Sequence, residues 1–331
     1  MNNSASVVNG QAKPQKRIIK ALPKKSRREL WKRDIRKNWP MYLIFLPIAA
    51  YFIIFCYVPM VGIVIAFERY SPTKGILRSP WVGWENFADL FNGDTFGLVM
   101  RNTIFMALLN LTIGFLAPVV FAILLSQVKV KWFKRVTQIC SYMPNFIAAV
   151  VVSQLVIESL GSNGAITIFF SWFGAPADKN WLADTTIPVF WLINTFIGVW
   201  QGLGMGAIVY SAAIASVNPN LHEAAAIDGA NRWKRLWHVT VPSITPLVVS
   251  MWTLSIGTVF LVGFDKILLL YKPITYDVAD CLATYTYRYA FGTSTNYGLS
   301  SASGLFQSVV GTFLLIVSNY LNRKFTNWSL F

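Results

Sequence analysis

The sequence predicts an all-α integral membrane protein with about six transmembrane helices, both termini cytoplasmic, and a helical cytoplasmic segment between spans four and five. Three observations predict it. Of 331 residues, 55% are hydrophobic and only 13% charged, against about 25% charged in ordinary soluble domains. Six apolar runs, near 41–67, 102–127, 137–157, 187–217, 241–264 and 303–321, hold no Asp, Glu, Lys, Arg or His, and about 20 apolar residues suffice to cross roughly 30 Å of hydrocarbon. With the N-terminus inside, the inner segments carry 21 of the 29 Lys and Arg residues and the outer segments eight, the asymmetry that orients membrane helices.

Residues 1–40 form a basic tail, with twelve Lys and Arg against Glu29 and Asp34. In a soluble protein a net charge of +15 would suit nucleic acid, but concentrated ahead of an apolar run it reads as a cytoplasmic anchor beside membrane lipid, and no nucleic-acid partner is expected. The run from Met41 to Phe67 exceeds the apolar core of a signal peptide and is followed by no small-residue cleavage pattern, so it is expected to remain as a span. Residues 41–331 then form one transmembrane domain. Cys56, Cys140 and Cys281 are too few and too scattered for a disulfide framework. His222 and His238 cannot assemble a zinc site, which takes three or four ligands; no metal or cofactor is expected. Trp81 and Trp84 in the first outer loop, and the Tyr-rich stretch 265–302, read as interfacial anchors.

Span four, at 31 residues, makes roughly 46 Å of helix and must tilt, bend or project. Its Gly198, Gly202 and Gly206 recur every four residues, a small-xxx-small pattern that admits a neighbouring helix. Residues 218–240 form a polar interruption. Asn220 is placed to cap a helix with Glu223 three residues on, Ala224, Ala225 and Ala226 favour helix with almost no side chain, and Gly229 after Asp228 invites a left-handed turn. A second short amphipathic helix follows, with Trp233, Leu236 and Trp237 on one face and Arg232 and Arg235 on another, before Pro242 opens span five.

The stretch "EAAAIDGA" (Glu223 to Ala230), followed by Pro242, resembles the EAA signature of permease subunits of binding-protein-dependent ABC importers. "SYMPNF" (Ser141 to Phe146) and "GLFQSVVGTFLLIVSNYLNRKF" near the end resemble the same family, over roughly residues 40–331 and within its carbohydrate-uptake class, especially subunits for complex oligosaccharides and polysaccharides. Val239 and Val241 stand where the family usually has Ile and Leu. The resemblance implies a coupling helix that docks in a cleft of a cytoplasmic ATPase. It carries coupling roles to Glu223, Ala224, Ala225, Asp228, Gly229, Ala230 and Arg232: Glu223 bonding at the cleft edge, the alanines permitting close approach, Gly229 supplying the bend. It further implies two ATPase copies, a second and expectedly non-identical permease, an extracellular or periplasmic solute-binding protein, a carbohydrate substrate, and residence in a bacterial cell membrane. The chain has no Gly-x-x-x-x-Gly-Lys-Ser/Thr run to cradle nucleotide phosphates, so ATP hydrolysis falls to a partner and the chain is not itself an enzyme.

Two other functions fit the sequence less well. An ion-coupled transporter or channel normally places ionisable groups inside the membrane, and the six runs have none. A membrane-embedded enzyme lacks a His or paired carboxylates within a span to activate its Ser and Thr hydroxyls; Asp277 and Asp280 read as loop carboxylates. Candidates for the substrate path are Trp191, Asn194 and Gln201, which with Gly198 share one face of span four, Ser250 and Thr253, which share a face of span five with Gly257, and Asp265 at the outer end of span five. Neutral donors and acceptors beside aromatic planes suit sugars, and charge-free spans favour a neutral oligosaccharide.

Overall fold

The computed structural model describes residues 27–326, apart from Val262 and Ser294; most of the basic tail therefore lies outside the described residues. The described elements are helical, with one isolated antiparallel bridge between Glu68 and Trp81. Among the described residues, six helices are long and apolar enough to cross a membrane: Asp34–Phe67, Phe96–Ser126, Ala149–Ser171, Val189–Ala215, Arg232–Gly257 and Tyr297–Lys324. They are spans one to six below. The chain divides into two units, residues 1–61 and 62–331.

In the first unit, the helix Arg27–Phe52 runs on through a wide turn at Ile53–Tyr57. Leu43, Ile44, Phe45 and Leu46 are exposed. The run is kinked at Asn38 and carries Pro40 and Pro47; helical backbone, which pairs most of its own polar groups, is what lets an apolar surface of this kind stand in hydrocarbon.

In the second unit, spans two and four form the main pair, with Val119 and Ala122 buried against Ala207 and Tyr210, and Leu247, Val248 and Met251 of span five packed on the same cluster. Spans five and six cross where a β-carbon on Gly311 would lie 2.8 Å from the Gly257 carbonyl oxygen. Asn322 donates from Nδ2 to Thr253 Oγ1 at 2.7 Å, pinning the same two helices.

The third span departs from the expected 137–157. Residues Lys131–Tyr142 form a separate helix, Met143–Phe146 a tight turn built on Pro144, and Ile147 and Ala148 are extended. The span begins only at Ala149 and is itself broken between Leu160 and Ala165. Proline withholds a backbone donor and restricts the residue before it, so the apolar run could not continue as one helix through Pro144. The helices also extend beyond the charge-free cores: Arg101 lies within span two and Glu158 within span three.

The glycine pattern of span four is used differently from expectation. The close approach is at Gly204, where a β-carbon would strike the Ser141 backbone and the Tyr142 ring. Gly206 meets Pro118 at 3.1 Å, Gly202 meets nothing within 4 Å, and Gly198 faces the Lys266 ammonium. Span five ends at Gly257, and after a left-handed turn at Gly263, φ +73°, a new helix runs from Phe264 to Leu270. Asp265 therefore sits in the first turn of that helix and not at the end of span five. Burying the backbone of the segment that follows requires partners for its carbonyls, and side chains of the spans supply them. Trp191 Nε1 donates to Val278 O at 2.7 Å, and Asn102 Nδ2 donates to Asp277 O at 3.0 Å and Asp280 O at 2.9 Å. Leu282 N donates to Thr103 Oγ1 at 2.8 Å.

Candidate functional site

A cavity of about 1160 Å3 opens inside residues 62–331, among spans two, four and six, the end of span five, and the segment 258–291. The segment is held in place by the side-chain bonds to its carbonyls and by an ion pair whose carboxylate is buried. Asp280 accepts from Arg288 Nη2 at 2.7 Å and from Thr284 Oγ1 at 2.7 Å. Burial nonetheless pushes the Asp280 carboxyl above its usual range, with the guanidinium opposing.

Of the path candidates, Asn194 and Asp265 line the cavity, together with Gly198 and Gly257. Trp191, Gln201, Ser250 and Thr253 do not. Trp191 is buried, stacked on Phe105 at 5.0 Å and bonded to the Val278 carbonyl. Gln201 Nε2 donates to Ile147 O at 3.3 Å, Ser250 Oγ to Pro246 O at 2.8 Å, and Thr253 Oγ1 to Val249 O at 2.8 Å while accepting from Asn322. Their polar atoms are thus spent on backbone or on a neighbouring helix. Helical spacing finds a common face, but not whether that face meets a cavity or another helix.

Asn194 differs. It is buried, its Nδ2 has only the Met106 sulfur at 3.8 Å, and its Oδ1 has no partner among the described residues. Whichever way the amide is turned, one of its polar atoms stands unpaired at the cavity wall. Lys266 lines the cavity as well and was missed, because it lies just past the charge-free run. It has no ion-pair or hydrogen-bond partner among the described residues. Burial lowers its pKa from the ordinary lysine value, and Asp265 opposes that shift. Lys266 reaches the cavity from outside the spans, so charge-free spans do not leave the cavity wall free of cations.

The loop between spans four and five is built as two helices with a glycine hinge. The first, Pro219–Ile227, is capped by Asn218, whose side chain accepts from Asn220 N at 3.0 Å, and not by Asn220 as expected. Pro219 sits at the first helical position, where a missing N–H costs nothing, and the Asn-Pro pair was the available signal. At the other end Gly229 takes φ +76°. Gly229 N donates to Ala226 O at 3.1 Å and Ala230 N to Ala225 O at 2.9 Å, the two bonds that close a helix through a left-handed residue. Asp228 is the C-cap. Glu223 and Ala224 are exposed and Ala225 and Ala230 half-buried; Glu223 has no partner among the described residues.

Asn231 caps the second helix by accepting from Lys234 N at 2.8 Å. That helix does not stop before Pro242. It continues through a wide turn at Leu236–Thr240 into span five, so that Arg232–Gly257 is one helical rod; the wide turn absorbs the backbone bonds that Pro242 cannot make. Leu236 is buried, while Trp233 and Trp237 are exposed. Arg232 Nε donates to Gln127 Oε1 at 2.6 Å, which ties the loop to the near end of span two.

The family described as binding-protein-dependent transport system inner membrane component matches residues 114–327, a stretch that contains both the loop and most of the cavity wall. The chain belongs to this family. As a member it is a multi-pass membrane transport subunit that leaves ATP hydrolysis to a partner. This permease is 36% identical over 303 residues to the polygalacturonan/rhamnogalacturonan transport system permease protein YteP of Bacillus subtilis (strain 168), covering 91% of this chain and 93% of that one. It is 34% identical over 307 residues to protein LplB of the same organism, covering 91% and 94%. Among solved structures, it is similar to a chain of a bacterial alginate ABC transporter in complex with an alginate pentasaccharide-bound periplasmic protein. The TM-score is 0.82 and the identity 33%, with 91% of this chain and all of that chain covered.

Proposed function

We propose that this permease is one of the membrane subunits of an ATP-driven importer that carries a complex oligosaccharide from an external binding protein into a bacterial cytoplasm. The single observation that carries the proposal is the loop between spans four and five. It presents a free carboxylate and bare alanines on a helix closed by Gly229, and its second helix is continuous with span five. A smooth helix with one charged handle suits a groove in another protein, and a rod that begins in the loop and ends at the cavity suits transmission of what happens there. Its partners are two cytoplasmic ATPase copies, a second permease and an extracellular or periplasmic solute-binding protein. Both termini lie in the cytoplasm, and the membrane is the plasma (inner) membrane. Glu223, Ala224, Ala225, Asp228, Gly229 and Ala230 form the docking surface, with Arg232 fixing it to span two. Asn194 and Asp265 face the glycan, while Trp191, Gln201, Ser250 and Thr253 hold the walls.

The test is Glu223→Lys and Gly229→Val in the assembled complex. Both variants insert and assemble, and both lose the ATPase activity that the glycan-loaded binding protein stimulates in the parent. Stimulation at the parent level in either variant refutes the coupling role.

A further inference from the structure

We propose that Lys266 sets the class of glycan this cavity accepts, its ammonium pairing with the carboxylate of a uronate unit while the Asn194 amide takes a neighbouring hydroxyl. The proposal rests on the oligosaccharide-importer reading above and names the substrate class of the same site.

The charges around the cavity single out this lysine. Elsewhere in residues 62–331, Lys179 and Arg288 are paired with Asp184 and Asp280 at 2.7 Å each. Lys266 has no such partner among the described residues, and its neighbour Asp265 is exposed and makes no ion pair with it. The ammonium lies over the bare backbone of Gly198, where a β-carbon would stand 3.7 Å from Nζ. A half-buried ammonium with no carboxylate in direct contact is disfavoured, and an arriving carboxylate relieves that cost through a charge-assisted hydrogen bond.

Asn194, also on this wall, has an unpaired buried oxygen. Tyr287 and Phe264 supply aromatic surface, which suits the apolar face of a pyranose, while Thr286 and Gln307 on the same wall are bonded to each other and Ser308 to the Gly304 carbonyl. At about 1160 Å3 the cavity exceeds the usual 300–1,000 Å3 of small-ligand pockets, which fits more than one sugar unit.

The experiment uses the whole importer in proteoliposomes with its binding protein. The probes are trigalacturonate and trimannuronate, their methyl esters, and arabinotriose. The same binding protein delivers the probes in every arm, so a change between variants belongs to the permease. The parent is expected to take up an acidic trimer in preference to its ester. Lys266→Met lowers acidic-trimer uptake about tenfold or more and leaves the ester within about twofold, while Lys266→Arg keeps the preference. An unchanged acid-to-ester ratio in Lys266→Met overturns the proposal, as does a parent that takes up esters or arabinotriose but neither acid; both outcomes leave oligosaccharide import standing. Uptake of none of the probes by an intact parent complex overturns the oligosaccharide reading itself, and this proposal with it. Loss of the assembled complex in both Lys266→Met and Lys266→Gln assigns the lysine to folding and likewise overturns the proposal.

Discussion

Replacing Gly204 by alanine, with Gly202→Ala as its control, separates two accounts of how span four is packed. A β-carbon at Gly204 would lie 2.6 Å from the Tyr142 ring and nearer still to the Ser141 carbonyl, whereas ordinary contact begins at 3.4 Å. The obstacle is backbone, so no side chain can swing aside; the end of the helix Lys131–Tyr142 must retreat by roughly 1 Å. Overpacking of this kind costs about 1–3 kcal/mol. At Gly202 a β-carbon meets nothing within 4 Å. Both variants gain the same helical preference of alanine over glycine, about 1 kcal/mol in aqueous hosts, so that contribution cancels in the comparison. With roughly 2–4 °C per kcal/mol for domains of 150–250 residues, Gly204→Ala should unfold at least about 2 °C below Gly202→Ala. The assay is the apparent unfolding midpoint of the purified protein in detergent, followed by tryptophan fluorescence at one fixed scan rate. Equal midpoints, or a lower one for Gly202→Ala, would refute the packing at Ser141 and restore the four-residue glycine repeat as the helix contact.

Arg288→Met strands the Asp280 carboxyl in the interior and should cost about 3–5 kcal/mol; adding Asp280→Asn should recover most of the loss in unfolding midpoint, and no recovery would show that the pair is not the cause. Thr253→Val removes the acceptor of the Asn322 bond between spans five and six, for an expected loss of about 0.6–1.7 kcal/mol, read from the same midpoint. At Gly229 an asparagine, which tolerates the left-handed region, should retain more stimulated ATPase activity than a valine, for which that conformation costs at least about 1–2 kcal/mol; equal losses would mean that the turn is not what matters there. With Cys56 and Cys140 replaced by serine, cysteines at Lys131 and Ile227 should resist a membrane-impermeant thiol reagent in intact cells while one at Thr295 reacts, and the reverse pattern would invert the proposed orientation.

The number of spans was legible because hydrocarbon imposes one crude requirement, an uncharged run of sufficient length, and six runs meet it. The loop at 218–240 was legible in type because Gly229 after Asp228 is a backbone signal, and the left-handed turn is where that signal placed it. Where one residue outvoted the run, the expectation failed. Pro144 split a hydrophobic stretch that hydropathy alone joins, and Gly257 with Gly263 ended span five before Asp265. The cavity was less legible still. Trp191, Gln201 and Asn194 share a helical face, yet only Asn194 meets the open space, because Trp191 packs against the segment 258–291 and Gln201 against the turn that precedes span three. Lys266 was passed over for the same reason: it belongs to no span, and only tertiary structure brings it beside Gly198.

The continuous helical run from Arg232 to Gly257, with its wide turn at Leu236–Thr240, makes span five a lever. Its 26 residues measure about 39 Å at 1.5 Å per residue. One arm is fastened to Gln127 near its tip, the fulcrum lies in the packed middle, and the far tip forms part of the cavity wall. Tilting such a rod by about 5° carries one end roughly 3 Å relative to the other, about the width of a water molecule. On the proposed coupling role, a small push on the loop would become a change in the bore of the cavity, and the wide turn at Leu236–Thr240 and Pro246 are the places where such a lever would bend.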